Sequence, residues 1–174
     1  MTNMMAEPFP VGIVAADEAR ARIAELSAIL LDCVEGGASV SAEKAEVFWR
    51  DVAEEVAAGE RILLVAEDPA SGRMVGTVQV VLGLPENQPH RGEIVKMLVH
   101  RSARRRGLGE TLMRAAADAA RAAGKTLLVL DTVTGSDADR LYERLGWVRL
   151  GVVPGYALMP DGAPCDATIF YKTL

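Results

Sequence analysis

The chain has 174 residues, half of them apolar and only 5% aromatic, so it fits one domain whose core rests on Ala, Val and Leu. Its 24 acidic and 19 basic residues leave a formal charge of −5, a poor balance for general nucleic-acid binding, which relies on neutralising phosphates. Cys33 and Cys165 lie in unrelated segments and neither His90 nor His100 stands beside a cysteine, so neither a disulfide framework nor a zinc site is expected.

The two cysteines read as small buried apolar side chains. The first residues lack a basic region followed by an apolar stretch, and no apolar run approaches the ~18 residues of a membrane span. The expectation is a cytoplasmic chain with no membrane partner and no bound metal.

In chain order, Pro8 to Ala15 reads as a short strand. Asp17 then caps a helix whose apolar positions Ile23, Leu26, Leu30, Cys33 and Val34 recur at helical spacing, with Gly36 and Gly37 ending it. A second helix follows Ser41, with Ala45, Phe48, Trp49, Val52 and Val56 on one face and Gly59 closing it. Arg61 to Glu67 and Met74 to Leu84 are strands joined by the turn Asp68–Gly72. Pro85 to Gly92 is a loop, and Glu93 to His100 another strand.

Gly107 to Ala123 is an alanine-rich helix that buries Leu108, Leu112, Ala115, Ala119 and Ala123 and turns Glu110, Arg114 and Asp118 to water. Gly124 ends it. Thr126 to Asp131 is a strand, Ser136 to Leu145 a short helix and Trp147 to Leu158 a strand. Pro160-Asp161-Gly162 turns into a last strand ending near Tyr171. The order β-α-α-β-β-β-α-β-α-β-β predicts a mixed α/β fold. Three consecutive strands call for antiparallel pairing and two strand-helix-strand units for local parallel pairing, within a mostly antiparallel sheet flanked by helices on both faces.

The chemistry gathers where the strand ending Met97-Leu98-Val99 runs into Arg104-Arg105-Arg106-Gly107-Leu108-Gly109-Glu110. The first turn of the helix that follows has free N–H groups and the positive end of the dipole, and Gly107 and Gly109 carry no side chain to hold an anion away. That is a cradle for a pyrophosphate. The Gly-Lys-Ser/Thr of a Walker loop is absent, and position 112, where a dinucleotide fingerprint needs its third glycine, is Leu.

The stretch resembles the GCN5-related N-acetyltransferase (GNAT) family, whose signature Arg/Gln-x-x-Gly-x-Gly/Ala is met by Arg104 to Gly109 behind a strand and before a helix. Leu141-Tyr142-Glu143-Arg144-Leu145-Gly146-Trp147 is similar to the family's second hallmark, and the likeness covers roughly residues 60–150. The resemblance implies one acetyltransferase domain over residues 1–174, with acetyl-CoA as acyl donor. Its pantetheine arm would lie along Met97, Leu98 and Val99, and its pyrophosphate on Arg104, Arg105, Arg106, Gly107, Leu108, Gly109 and Glu110.

The same resemblance makes Tyr142 the general acid on the CoA thiolate and a contact of the cofactor. A thiol near ~8.5 and a phenol near ~10 are close enough to share a proton. The base is Asp131, at the C-terminal mouth of its strand, where apolar neighbours would raise its pKa, or Glu93, with His90 behind it; a water chain would also serve. Asp131 is equally read as a turn aspartate. The family's Asn before the tyrosine is missing here, so Ser136 either takes its place or simply caps a helix.

By the same likeness the acceptor site lies near Glu35–Ser41, Leu84–Gly92 and Tyr156–Cys165. The wording of Asn87–Arg91, Lys96–His100 and Asp131–Ser136 is similar to the tabtoxin-resistance branch of the family. That implies a small, amino-acid-like primary amine, a toxin or antibiotic, as acceptor. Two other readings stay open: a non-catalytic acetyl-CoA-binding module, and a protein or peptide N-acetyltransferase. The family's exposed late strands suggest a homodimer.

Overall fold

The computed structural model describes residues 8–34, 41–159 and 161–174. The expected helix end at Gly36 and Gly37 and the first residue of the Pro160 turn lie outside them. The elements are β1 (Val11–Ile13), α1 (Ala16–Ala21), α2 (Ile23–Val34), α3 (Ala42–Ala57), β2 (Arg61–Glu67), β3 (Met74–Val81) and β4 (Arg91–Val99). A short 3-10 turn (Arg101–Ala103) follows, then α4 (Leu108–Ala122), β5 (Leu127–Val133), α5 (Asp137–Arg144), β6 (Val148–Leu158) and β7 (Pro164–Thr173).

The predicted mixed fold and its element order hold, with one subdivision. The first helix is two: α1 and α2 meet at Arg22, whose backbone leaves the helical region at φ −115°, ψ 23°. Arg22 Nη2 donates to the Gly72 carbonyl (2.8 Å), its Nε to Glu25 (2.9 Å), and it pairs with Glu67, so the break is held against the β2–β3 turn. Asp17 is therefore no cap. Ala15 holds that position without a side-chain bond, and Asp17 sits exposed in the first turn beside Arg20 (2.7 Å). Ser41 does cap α3, accepting from the Lys44 N–H (3.2 Å).

The strands form one sheet in the order β1-β2-β3-β4-β5-β7-β6. Only β4 and β5 pair in parallel. The second strand-helix-strand unit does not pair its own strands, because β7 inserts between β5 and β6, antiparallel to both. On one face, α1–α3 bury Leu26, Ile29, Trp49 and Val52 against Leu63 and Val65. On the other, α4 and α5 cover Val78, Val80, Leu128, Leu130 and Phe170. The buried stripe of α4 is Leu108, Leu112, Met113, Ala116, Ala117, Ala119 and Ala120, whereas Ala123 is exposed. The small Ala side chains let the helix lie close to the sheet while Leu112 fills the space between them.

Leu112 is fully buried in that layer. Leu112→Ala is expected to lower unfolding free energy by about 3 kcal/mol, read as a drop in the urea midpoint with an unchanged slope.

Candidate active site

The site begins where β4 leaves β5. The two strands pair through Arg91↔Leu127, Gly92↔Leu128 and Glu93↔Val129, and then part. Past Glu93, β4 keeps its pairing with β3 through Gly76↔Val99 and Thr77↔Leu98, but with a register shift between Thr77 and Gln79. Lys96 lies inside that bulge with φ 51°, in the left-handed region. The extra residue bends β4 away from β5. A Lys carries no sequence signal for such a backbone, so the bulge is not readable beforehand.

Beyond β4 the chain turns through Arg105 (φ 59°) and Gly107 (φ 78°) into α4. The first helical bond runs from the Thr111 N–H to the Gly107 carbonyl (3.2 Å), so the amides of Leu108, Gly109 and Glu110 precede it and project from the helix end. The two glycines serve different purposes. A Cβ on Gly107 would meet nothing within 4 Å, so this position needs the backbone conformation alone. A Cβ on Gly109 would lie 3.1 Å from Leu141 Cδ2 and 3.8 Å from the Met97 thioether, so that glycine lets α4, α5 and β4 converge.

The arginines divide in the same way. Arg104 Nε donates to the Val99 carbonyl (2.9 Å) and its Nη2 to Asp32 (3.2 Å), while Arg106 stacks over the Phe9 ring at 4.3 Å. Arg105 is exposed at the turn. Glu110 in the first turn of α4 is engaged by Arg114 (2.8 Å).

Asp32, on α2, carries this loop and was not singled out by sequence. Its side chain is buried, accepts from the Arg101 N–H (2.8 Å), and pairs with the Arg101 and Arg104 guanidinium groups. Burial pushes its carboxyl up, but the backbone N–H and guanidinium of Arg101, with His100 beside them, outweigh that and hold it below the usual range. Cys33, the next residue, is half-buried with its thiol against the Val99 carbonyl (3.5 Å), a polar contact where a purely apolar role was expected. Burial pushes that thiol up, which keeps it protonated.

Tyr142 projects from α5 into the layer beneath β5 and β7. Its ring packs on Trp147 (centroids 6.0 Å) and edge-on to Phe170 (5.8 Å). Burial, and secondarily the charge of Asp131, push the phenol up to about 12. Ser136 caps α5, accepting from the Asp139 N–H (3.1 Å), with Thr132 Oγ1 at 3.4 Å. Asp139, also not anticipated, answers by accepting from the Gly135 N–H (2.7 Å) and from Arg149 (2.8 Å), a reciprocal capping pair that fixes the helix carrying Tyr142.

The expected bases meet on the opposite face. Glu93, Val95, Val129, Asp131, Ile169 and Tyr156 line a cavity of about 210 Å³ at the fork of β4 and β5. Asp131 is exposed there, and Glu93 pairs with Arg91 (2.7 Å). Leu84–Gly92 does not line this cavity, and residues 35–40 lie outside the described ones. Among the described residues no group of three or more His, Cys, Asp or Glu is placed to hold a metal ion, and no helix is long and apolar enough to cross a membrane.

A forked sheet with a glycine turn opening a helix beside the fork frames the candidate site. The chain belongs to the acetyltransferase (GNAT) family, whose model matches residues 23–147. Solved structures share the fold at low identity. A ribosomal-protein-alanine N-acetyltransferase from Brucella melitensis is 23% identical over 95% of this chain and 99% of its own, with a TM-score of 0.79. YncA from Salmonella typhimurium, assigned as an acetyltransferase and solved with its cofactor acetyl-CoA, is 20% identical over 97% and 95%, with a TM-score of 0.77. An acetyltransferase of the GNAT family from Streptococcus pneumoniae is 22% identical over 96% and 100%, with a TM-score of 0.75.

Asp32→Asn keeps the shape and removes the charge, so at neutral pH it is expected to destabilise the fold by about 1–3 kcal/mol. Because the folded carboxyl titrates lower than the unfolded one, the wild-type advantage is complete above the ordinary value of 3.8 and fades as pH falls through the folded value. Urea titrations at a series of pH values should show the gap between the two proteins constant near neutrality and closing in acid.

Proposed function

We propose that this protein is an acetyl-CoA-dependent N-acetyltransferase acting on a small primary amine. The observation that carries the reading is the parting of β4 from β5 directly beside the Gly107 turn. It leaves a slot between strands that leads to a helix N-terminus, which suits a long donor with a pyrophosphate at one end. Acetyl-CoA supplies the activated acetyl group. The amides of Leu108, Gly109 and Glu110 would hold its pyrophosphate, with Arg105 and the Arg104 and Arg106 backbone at the rim, and Met97, Leu98 and Val99 would align its arm.

The chain's own residues then have three duties. Asp131 or Glu93 takes a proton from the acceptor ammonium, freeing its lone pair to attack the thioester carbonyl. A second proton leaves the nitrogen as the amide forms and the carbon–sulfur bond breaks. Tyr142 offers its O–H to the departing sulfur. With the phenol near 12, full transfer to a thiolate of ordinary pKa ~8.5 is uphill, so Tyr142 stabilises the thiolate by a hydrogen bond while the proton shed by the amine completes the thiol.

The likeness of the segments around Lys96–His100 and Asp131–Ser136 to tabtoxin-resistance acetyltransferases supports an amino-acid-like acceptor, and the acidic chain supports a small-molecule rather than a nucleic-acid partner. A cytoplasmic site of action fits the supply of acetyl-CoA.

Tyr142→Phe keeps the buried ring and removes the hydroxyl. It is expected to lower kcat about 100-fold while leaving acetyl-CoA affinity and the urea midpoint unchanged. Steady-state kinetics and a binding titration on the same preparation check this. An unchanged kcat would remove Tyr142 from the chemistry.

A further inference from the structure

We infer that Tyr156 is the acceptor-recognition residue, and that the cleft it shares with Glu93 and Asp131 takes a terminal ammonium on an aliphatic stem rather than the α-amine of an amino acid. The inference rests on the acetyltransferase reading and names the acceptor class of the same site.

The observation begins in β6. Its pairing with β7 jumps from Val153↔Ala167 to Ala157↔Cys165, so Pro154, Gly155 and Tyr156 stand opposite the single residue Asp166. Gly155 turns at φ 61°, and its N–H donates to the Asp166 carboxylate (2.9 Å), which fixes the bulge. The bulge places Tyr156, half exposed, at the β4–β5 fork. There it joins Glu93 and Asp131 over a floor of Val95, Val129 and Ile169. An aromatic face, two carboxylates and an aliphatic floor are complementary to an ammonium at the end of an alkyl chain.

The cleft lacks what an α-amino acid would need. An amine next to a carboxylate requires a cation within the same pocket, and no Lys, Arg or His lines this one among the described residues. The residues outside the description, 1–7, 35–40 and 160, contain no Lys, Arg or His either. Of the two cations of β4, Arg91 is held at the edge of the cleft by Gln88 and Glu93, and Lys96 lies over the Phe48 ring at 5.6 Å. With Arg91 already paired to Glu93, a carboxylate beside the reacting amine would face Asp131 with no free cation among the residues that line the cleft. An amino-acid-like acceptor fits only if its side-chain amine enters and its carboxylate stays outside.

The test uses the full chain, with and without CoA, and 1,5-diaminopentane, lysine and glycine as probes, followed by ligand-observed NMR. Rates with acetyl-CoA are measured alongside. Wild type should bind diaminopentane, acetylate it and lysine, and acetylate lysine at the ε-nitrogen, while glycine is a poor substrate. Tyr156→Leu should raise KM for the diamine about 10-fold with little change in kcat, and Tyr156→Phe, which keeps the aromatic face, should restore it. Glycine preferred to the diamine, diamine binding absent in wild type, or KM and binding unaffected by Tyr156→Leu would each overturn the inference. Diamine binding through Tyr156 by a protein that does not bind acetyl-CoA would overturn the acetyltransferase reading while sustaining the recognition role of Tyr156.

Discussion

β4 and β5 run side by side for three residue pairs and then separate. Past that point the facing backbone N–H and C=O groups of the two strands no longer pair with each other and are open to water or to a ligand. Here the separation is built by a backbone torsion and a register bulge. Lys96 accepts a left-handed backbone that a lysine rarely adopts, and the bulge so formed turns β4 toward β3 and α2. Strain at one non-glycine residue, held by the packing around it, opens the fork, and both halves of the candidate site depend on that opening.

The two sides of the fork are then supplied by different layers. On the α4–α5 side, Gly109 allows α4, Met97 and Leu141 to meet, and the capping pair of Ser136 and Asp139 fixes the helix that carries Tyr142. On the open side, β7 threads between β5 and β6 and sets Tyr156 beside Glu93 and Asp131. The loop between β4 and α4 is held by Asp32, one buried carboxylate serving two guanidinium groups and a backbone amide. A run of arginines that reads as a basic patch is thus mostly scaffold. Arg101 and Arg104 fasten the loop to α2, and Arg106 rests on Phe9.

Local signals carried much of this. The glycine turn, the caps at Ser41 and Ser136, and the turn residues between the strands are encoded by neighbours in sequence, so the helix and strand order could be read directly. Long-range features could not. Nothing near Arg22 marks a break between α1 and α2, because its partners Glu67 and Gly72 are far away in the chain. Asp32 looks like any helix-surface aspartate until Arg101 and Arg104 are folded against it. The insertion of β7 between β5 and β6 follows from how the sheet closes rather than from any turn residue. The candidate site residues are those that a motif marks; the residues that position them carry no such mark, because their roles exist only across the fold.

The central claim is that the turn at Gly107, beside the fork, holds the pyrophosphate of acetyl-CoA. Asp and Asn both tolerate the left-handed backbone of that position and differ only in charge. Calorimetric titration of acetyl-CoA into wild type, Gly107→Asn and Gly107→Asp therefore isolates the electrostatic contact from backbone strain. The account predicts binding by wild type and Asn, with Asp weakened about 10-fold or more relative to Asn. Equal affinities for the Asp and Asn variants, or no binding by folded wild type, would contradict it.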